Sequence, residues 1–85
     1  MQLTVRDDHQ DFNRQTHAYA EYRAFAGLAG HPAPITGVTV TLERGTGAMR
    51  CAVSLTLQSG EVLGTEASGP HIYAAIDRAV ALLSS

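Results

Sequence analysis

Val38-Thr39-Val40-Thr41-Leu42-Glu43 and Met49-Arg50-Cys51-Ala52-Val53-Ser54-Leu55-Thr56-Leu57, separated by a short Gly-containing connection, decide the fold of this chain. In both runs the large apolar groups fall on every second residue, the period of a strand with one covered and one wet face. Gly45-Thr46-Gly47 supplies the conformational freedom of a hairpin turn between them. Toward the C-terminus, Gln58-Ser59-Gly60 reads as a second tight turn, leading into a strand from Glu61 to Ala67. The centre of the chain is therefore a meander of three antiparallel strands.

Outward from this meander, Leu3 and Val5 alternate with Gln2, Thr4 and Arg6 as one more strand, ended by the polar cluster Asp7-Asp8-His9-Gln10-Asp11. Asp11 or Asn13 is placed to cap a helix running from about Phe12 to Ala29. Its expected apolar stripe is Ala18, Tyr22, Phe25 and Ala29 with Tyr19 and Ala26 alongside, leaving Arg14, His17, Glu21 and Arg23 toward solvent. Gly27 to Gly30 are expected to end it through a left-handed exit, ahead of Pro32 and Pro34. A second helix is expected after Ser68 or Gly69 as cap, with Pro70 at its first position and Ile72, Ala75 or Ile76, Ala79 and Leu83 as its stripe. The order β-α-β-β-β-α makes the first two strands parallel neighbours joined by a right-handed crossover. The expected architecture is an α/β two-layer sandwich: a four-stranded mixed sheet with both helices on one face and Thr and Ser side chains on the other. Leu3, Val5, Val38, Val40, Leu42, Cys51, Val53, Leu55, Ile72, Ile76 and Leu83 should fill the core.

The 85 residues make a single domain, 1–85, with room for one modest core. Hydrophobic residues make up 45% and charged residues 16%, with no apolar run of bilayer length and no basic-then-apolar start of a secretory signal, so the cytoplasm is expected. Cys51 is the one cysteine, which excludes an internal disulfide and a thiolate metal cluster, and its place in the alternation predicts a buried, inert thiol. His9, His17, His31 and His71 lack the spacing of a local metal site and are expected to be solvent-exposed. No Gly-x-Ser-x-Gly turn or phosphate-cradling Gly loop occurs, so neither an enzyme activity nor a cofactor is expected. The net charge is −2, and all six basic residues are arginine. Phosphate neutralisation usually shows as a basic patch and a high pI, so composition by itself argues against a nucleic-acid partner.

One stretch is too particular for helix patterning alone. An amphipathic helix requires apolar groups near Ile72, Ala75, Ile76 and Ala79, but nothing in that requirement selects Tyr73 or Asp77. Preceded by Gly60-Glu61-Val62 and Ala67-Ser68-Gly69, the segment His71-Ile72-Tyr73-Ala74-Ala75-Ile76-Asp77 resembles the ribosome hibernation promoting factors and ribosome-associated inhibitors. In that family a Gly-Glu-hydrophobic strand precedes a helix opening Asp-Met-Tyr-Ala-Ala-Ile-Asp. Met1-Gln2-Leu3-Thr4-Val5 and Ile35 to Glu43 resemble its first two strands, whereas Gln10 to Gly30 share mainly a helical pattern. Relative to the family, the last strand carries one additional residue near Leu63-Gly64, to be absorbed as a bulge. His71 replaces an acidic cap, and Ser84-Ser85 stand where the family continues into a Lys/Arg-rich tail.

The resemblance implies the same two-layer fold and a protein that blocks the messenger and transfer RNA channel of the small ribosomal subunit, without catalysis, by laying its helices on rRNA. Carried over by position, Arg14, His17, Arg23 and Arg78 are the candidate RNA-binding residues. Tyr73 is expected to be structural, packing its ring on the sheet, and Asp77 to pair locally. The alternative is a domain of the same fold that does not bind rRNA and works as a protein-interaction or homodimerisation module.

Overall fold

The computed structural model describes residues 1–83; the terminal Ser84-Ser85 lie outside the described residues. Six elements follow one another: β1 (Gln2–Arg6), α1 (Arg14–Leu28), β2 (Ile35–Arg44), β3 (Met49–Leu57), β4 (Val62–Gly69) and α2 (Ile72–Leu83). The sheet order is β1-β2-β3-β4, with β1 parallel to β2 and the two remaining pairs antiparallel. β1 and β4 are therefore the edges. α1 packs over β1 and β2, α2 over β3 and β4, and the helices touch each other, so both lie on one face as the order of elements requires.

The strand period places the core as expected. Val38, Val40 and Leu42 stand opposite Leu55, Val53 and Cys51, all buried, while Thr39, Thr41 and Glu43 face Ser54, Ala52 and Arg50 on the other side. Ile72, Ala75, Ile76, Ala79 and Val80 close the core from α2, and Leu3, Val5 and Leu83 are packed at its margin. Cys51 is fully enclosed, and burial pushes its thiol up to about 12, which leaves it unreactive at neutral pH. The two hairpin glycines have positive φ, Gly47 at 81° and Gly60 at 93°, which explains their place in the turns. The expected bulge at Leu63-Gly64 is not there: β3 and β4 keep one unbroken register, and the irregularity falls in β2 between Ile35 and Gly37.

α1 differs most from expectation. Its buried residues are Thr16, Ala20, Ala24 and Leu28, whereas Ala18, Tyr22, Phe25 and Ala29 are exposed. The face turned inward carries small side chains because α1 must approach α2 closely. Asn13, one of two candidates, is the cap: its side chain accepts from the Thr16 N–H at 2.9 Å. The helix ends without a left-handed residue, since Ala29 keeps right-handed helical angles. Asp7 organises the connection before it, accepting from the N–H groups of Asp11 and Phe12 at 3.1 and 3.0 Å. α2 begins two residues later than the sequence suggests, at Ile72. Its cap is His71, whose Nδ1 accepts from the Ala74 N–H at 3.2 Å and whose carbonyl accepts from Ala75, so Pro70 precedes the cap and does not open the helix.

Candidate nucleic-acid interface

The four residues implied by the resemblance do not form one patch. In α1, Arg14 lies at spacings of four, three and four from Ala18, Glu21 and Phe25, on the flank above β1. Arg23 lies on the opposite flank, facing α2: its Nε donates to Asp77 Oδ1 at 2.9 Å. Arg78 is on the far side of α2, where its Nη1 donates to the Ser68 carbonyl at 2.8 Å on the β4 edge. His17 is held by Asp7, Nε2 to Oδ2 at 2.9 Å, with 38% of the His17 side chain and 4% of the Asp7 side chain exposed. Burial pushes the Asp7 carboxyl up, but the His17 contact and the two backbone N–H groups outweigh it and hold the group below its ordinary value.

The expectation of four solvent-exposed histidines holds for His9 and His71, the latter also capping α2, and fails for His17 and His31, which are half-buried. His17 is paired with Asp7, and the His31 ring accepts from the Ala33 N–H at 3.2 Å. Among the described residues, no group of His, Cys, Asp and Glu is placed to hold a metal ion.

The seam between the helices is the feature the sequence did not reveal. Asp77 Oδ1 accepts from Arg23 and also from the Tyr19 hydroxyl at 2.7 Å, and the Tyr19 ring meets Tyr73 edge to face at a centroid distance of 4.7 Å. Asp77 thus joins the two helices and does not pair locally. Tyr73 packs its ring on Tyr19 of α1. The signal was present as spacing: Tyr19 and Arg23 are four apart on α1, Tyr73 and Asp77 four apart on α2, and each pair occupies one flank of its helix. The Asp77 hydrogen bond, with burial second, raises the Tyr19 hydroxyl above its ordinary value. In an alkaline absorbance titration one tyrosine should ionise later than the rest, and in Asp77→Ala that late step should move back. The raised value means that this contact stabilises the fold below about pH 10 and is lost as pH rises further. Tyr19→Phe and Asp77→Ala should each cost about 1 kcal/mol at neutral pH, and much less than the sum when combined, because both delete one network. Additive losses in thermal unfolding would refute the network.

Charge is distributed sparingly. Arg6 pairs with Asp8, Arg44 with Asp11, and Arg50 with Glu43 and Glu66, which leaves Arg14 and Arg78 as the arginines outside an ion pair among the described residues. Arg14 stands in the first turn of α1, where the helix dipole adds to its positive charge.

A family model described as Sigma 54 modulation protein / S30EA ribosomal protein matches residues 3–85. Among solved structures, the N-terminal domain of Thermus thermophilus Protein Y is 23% identical with a TM-score of 0.73, over 96% of this chain and 87% of that one. A ribosomal subunit interface protein from Coxiella burnetii is 13% identical with a TM-score of 0.82, over 98% of this chain and 89% of that one. At these identities the structures establish a shared fold. No curated protein matches. With its element order, its Tyr-Ala-Ala-Ile-Asp helix and a family match that spans nearly every residue, the chain belongs to the Sigma 54 modulation protein / S30EA ribosomal protein family.

Proposed function

We propose that this protein is a cytoplasmic, ribosome-associated inhibitor of the hibernation type, which lodges in the messenger and transfer RNA channel of the small subunit and blocks it sterically. The observation that carries this reading is the family match over residues 3–85. It is supported by the fold shared with a ribosomal subunit interface protein and by the guanidinium groups of Arg14, Arg23 and Arg78, with His17, on the helical layer. No catalytic step is required, since occupation of the channel is the whole action. None of the described helices is long and apolar enough to cross a membrane.

So few cations imply a shallow electrostatic component. With about three phosphate contacts, log binding constant against log salt should fall with a slope of about 2 to 3, or roughly 20- to 60-fold weaker binding between about 50 and 200 mM salt. Co-sedimentation with small subunits across a salt series measures this. Replacing Arg14, Arg23 and Arg78 together by Gln should flatten the slope and weaken binding at low salt, provided circular dichroism shows the variant folded. If wild type does not sediment with small subunits even at low salt, or the variant binds equally well, the reading fails.

The scatter of the arginines over three flanks, with a net charge of −2, favours a second reading: a domain of the same fold that acts through protein contacts without rRNA. That domain would leave ribosomes in the pellet and remain in the supernatant at every salt concentration.

A further inference from the structure

The two edges of the sheet are treated differently. At β4, Arg78 takes the Ser68 carbonyl and Thr65 donates to the Ala79 carbonyl at 2.9 Å, tying the edge to α2. At β1, no group outside the sheet bonds to the strand backbone among the described residues. An unprotected edge is a template for another strand. Directly above it, Leu3, Ala18, Glu21, Tyr22 and Phe25 line a shallow apolar groove, in which Tyr22 is 67% and Phe25 61% exposed. Arg14 and Glu21 lie on this same flank, seven residues apart, and neither has an ion pair or hydrogen bond among the described residues.

We propose that β1 and the overlying flank of α1 form a homodimerisation surface whose occupant is a second copy of this chain. A twofold axis normal to the sheet, passing near Thr4 and Ala18, pairs the two β1 strands antiparallel into one eight-stranded sheet. It sets Leu3 against Val5 of the partner subunit on the covered face. It also reverses α1, and about a crossing at the small Ala18 the seven-residue separation, about 10 Å of helix, brings Arg14 against Glu21 of the partner subunit and Glu21 against Arg14 of the partner subunit. The charge pattern is thus complementary to itself. Tyr22 and Phe25, too exposed to belong to the core, become covered anchors. The proposal does not rest on ribosome binding and is tested without ribosomes.

The test is the molar mass of the full chain by light scattering and sedimentation equilibrium, from micromolar to about 1 mM. Wild type should pass from one chain to two. Arg14→Glu or Glu21→Arg, which set like charges opposite each other, should weaken the dimer at least about tenfold, and the double reversal should recover most of the loss. Phe25→Gln, at an exposed position that leaves the monomer's unfolding temperature nearly unchanged, should weaken it at least about tenfold by removing an anchor. A wild-type mass of one chain at every concentration overturns the proposal, and so does a double reversal no tighter than the single ones.

Discussion

Ile76→Ala is expected to lower the free energy of unfolding by about 3 to 4 kcal/mol, because a fully buried large-to-small change forfeits transfer energy and leaves a cavity. Ile76 is wholly enclosed in the core cluster between the sheet and the two helices, with buried side chains as its neighbours. In a domain of 85 residues, where total stability is on the order of 4 to 13 kcal/mol, this is a large share. Thermal unfolding followed by circular dichroism should shift down by about 12 to 30 °C. Tyr22→Ala, removing a larger but exposed side chain, should stay within about 0.5 kcal/mol of wild type. Equal shifts for the two would mean that α2 is not seated on the sheet.

That contrast between Ile76 and Tyr22 also marks what could be read in the sequence. The strands were legible because each has a covered and an open face, so Val38, Val40 and Leu42 alternate with Thr39, Thr41 and Glu43 over their full length. α2 was legible for the same reason, with one strongly apolar flank. α1 was read as a helix, but its inward face was misread. Large apolar groups stand outside, at Tyr22 and Phe25, and the inward residues Thr16, Ala20 and Ala24 are too small or polar to signal burial. Hydrophobic size marks a core face only where space is to be filled; where two helices must come close, small residues are selected instead.

The candidate site was legible as a family resemblance and much less as geometry. Arg14, His17, Arg23 and Arg78 all lie on helices as expected, yet which flank Arg14, His17 and Arg23 occupy depends on the rotation of α1, which the apolar stripe does not give. The bonds from Asp77 to Tyr19 and Arg23 span more than fifty positions and exist only once the two helices are in register. Asp7 and His17 meet because the polar cluster after β1 turns back on itself, with Gln10 at a φ of 53°. The first leaves only the four-residue spacings within each helix as a local trace, and the second leaves none.

Gly27 shows how close that helix contact is. The sequence suggests a helix terminator, but Gly27 lies inside α1, and a Cβ built there would overlap Val80 Cγ1 on α2. A side chain there fits only if something shifts, and Val80 is buried, with a branched side chain that has little freedom to turn aside. Gly27→Leu should therefore destabilise by about 3 kcal/mol or more through overpacking. Gly27→Ala combines opposing effects: helix propensity gains about 1 kcal/mol, while the clash costs about 1 to 3 kcal/mol. The separation of these effects comes from Val80→Ala, which alone should cost about 2 kcal/mol as a cavity but should cost clearly less in the Gly27→Ala background, where the new methyl occupies the vacated space. Denaturant unfolding of the two single variants and the double measures the coupling. A stabilised Gly27→Ala, or strict additivity with Val80→Ala, would show the helices standing farther apart than the structure has them, and the seam of Tyr19, Arg23, Tyr73 and Asp77 would then lose the close approach that holds it together.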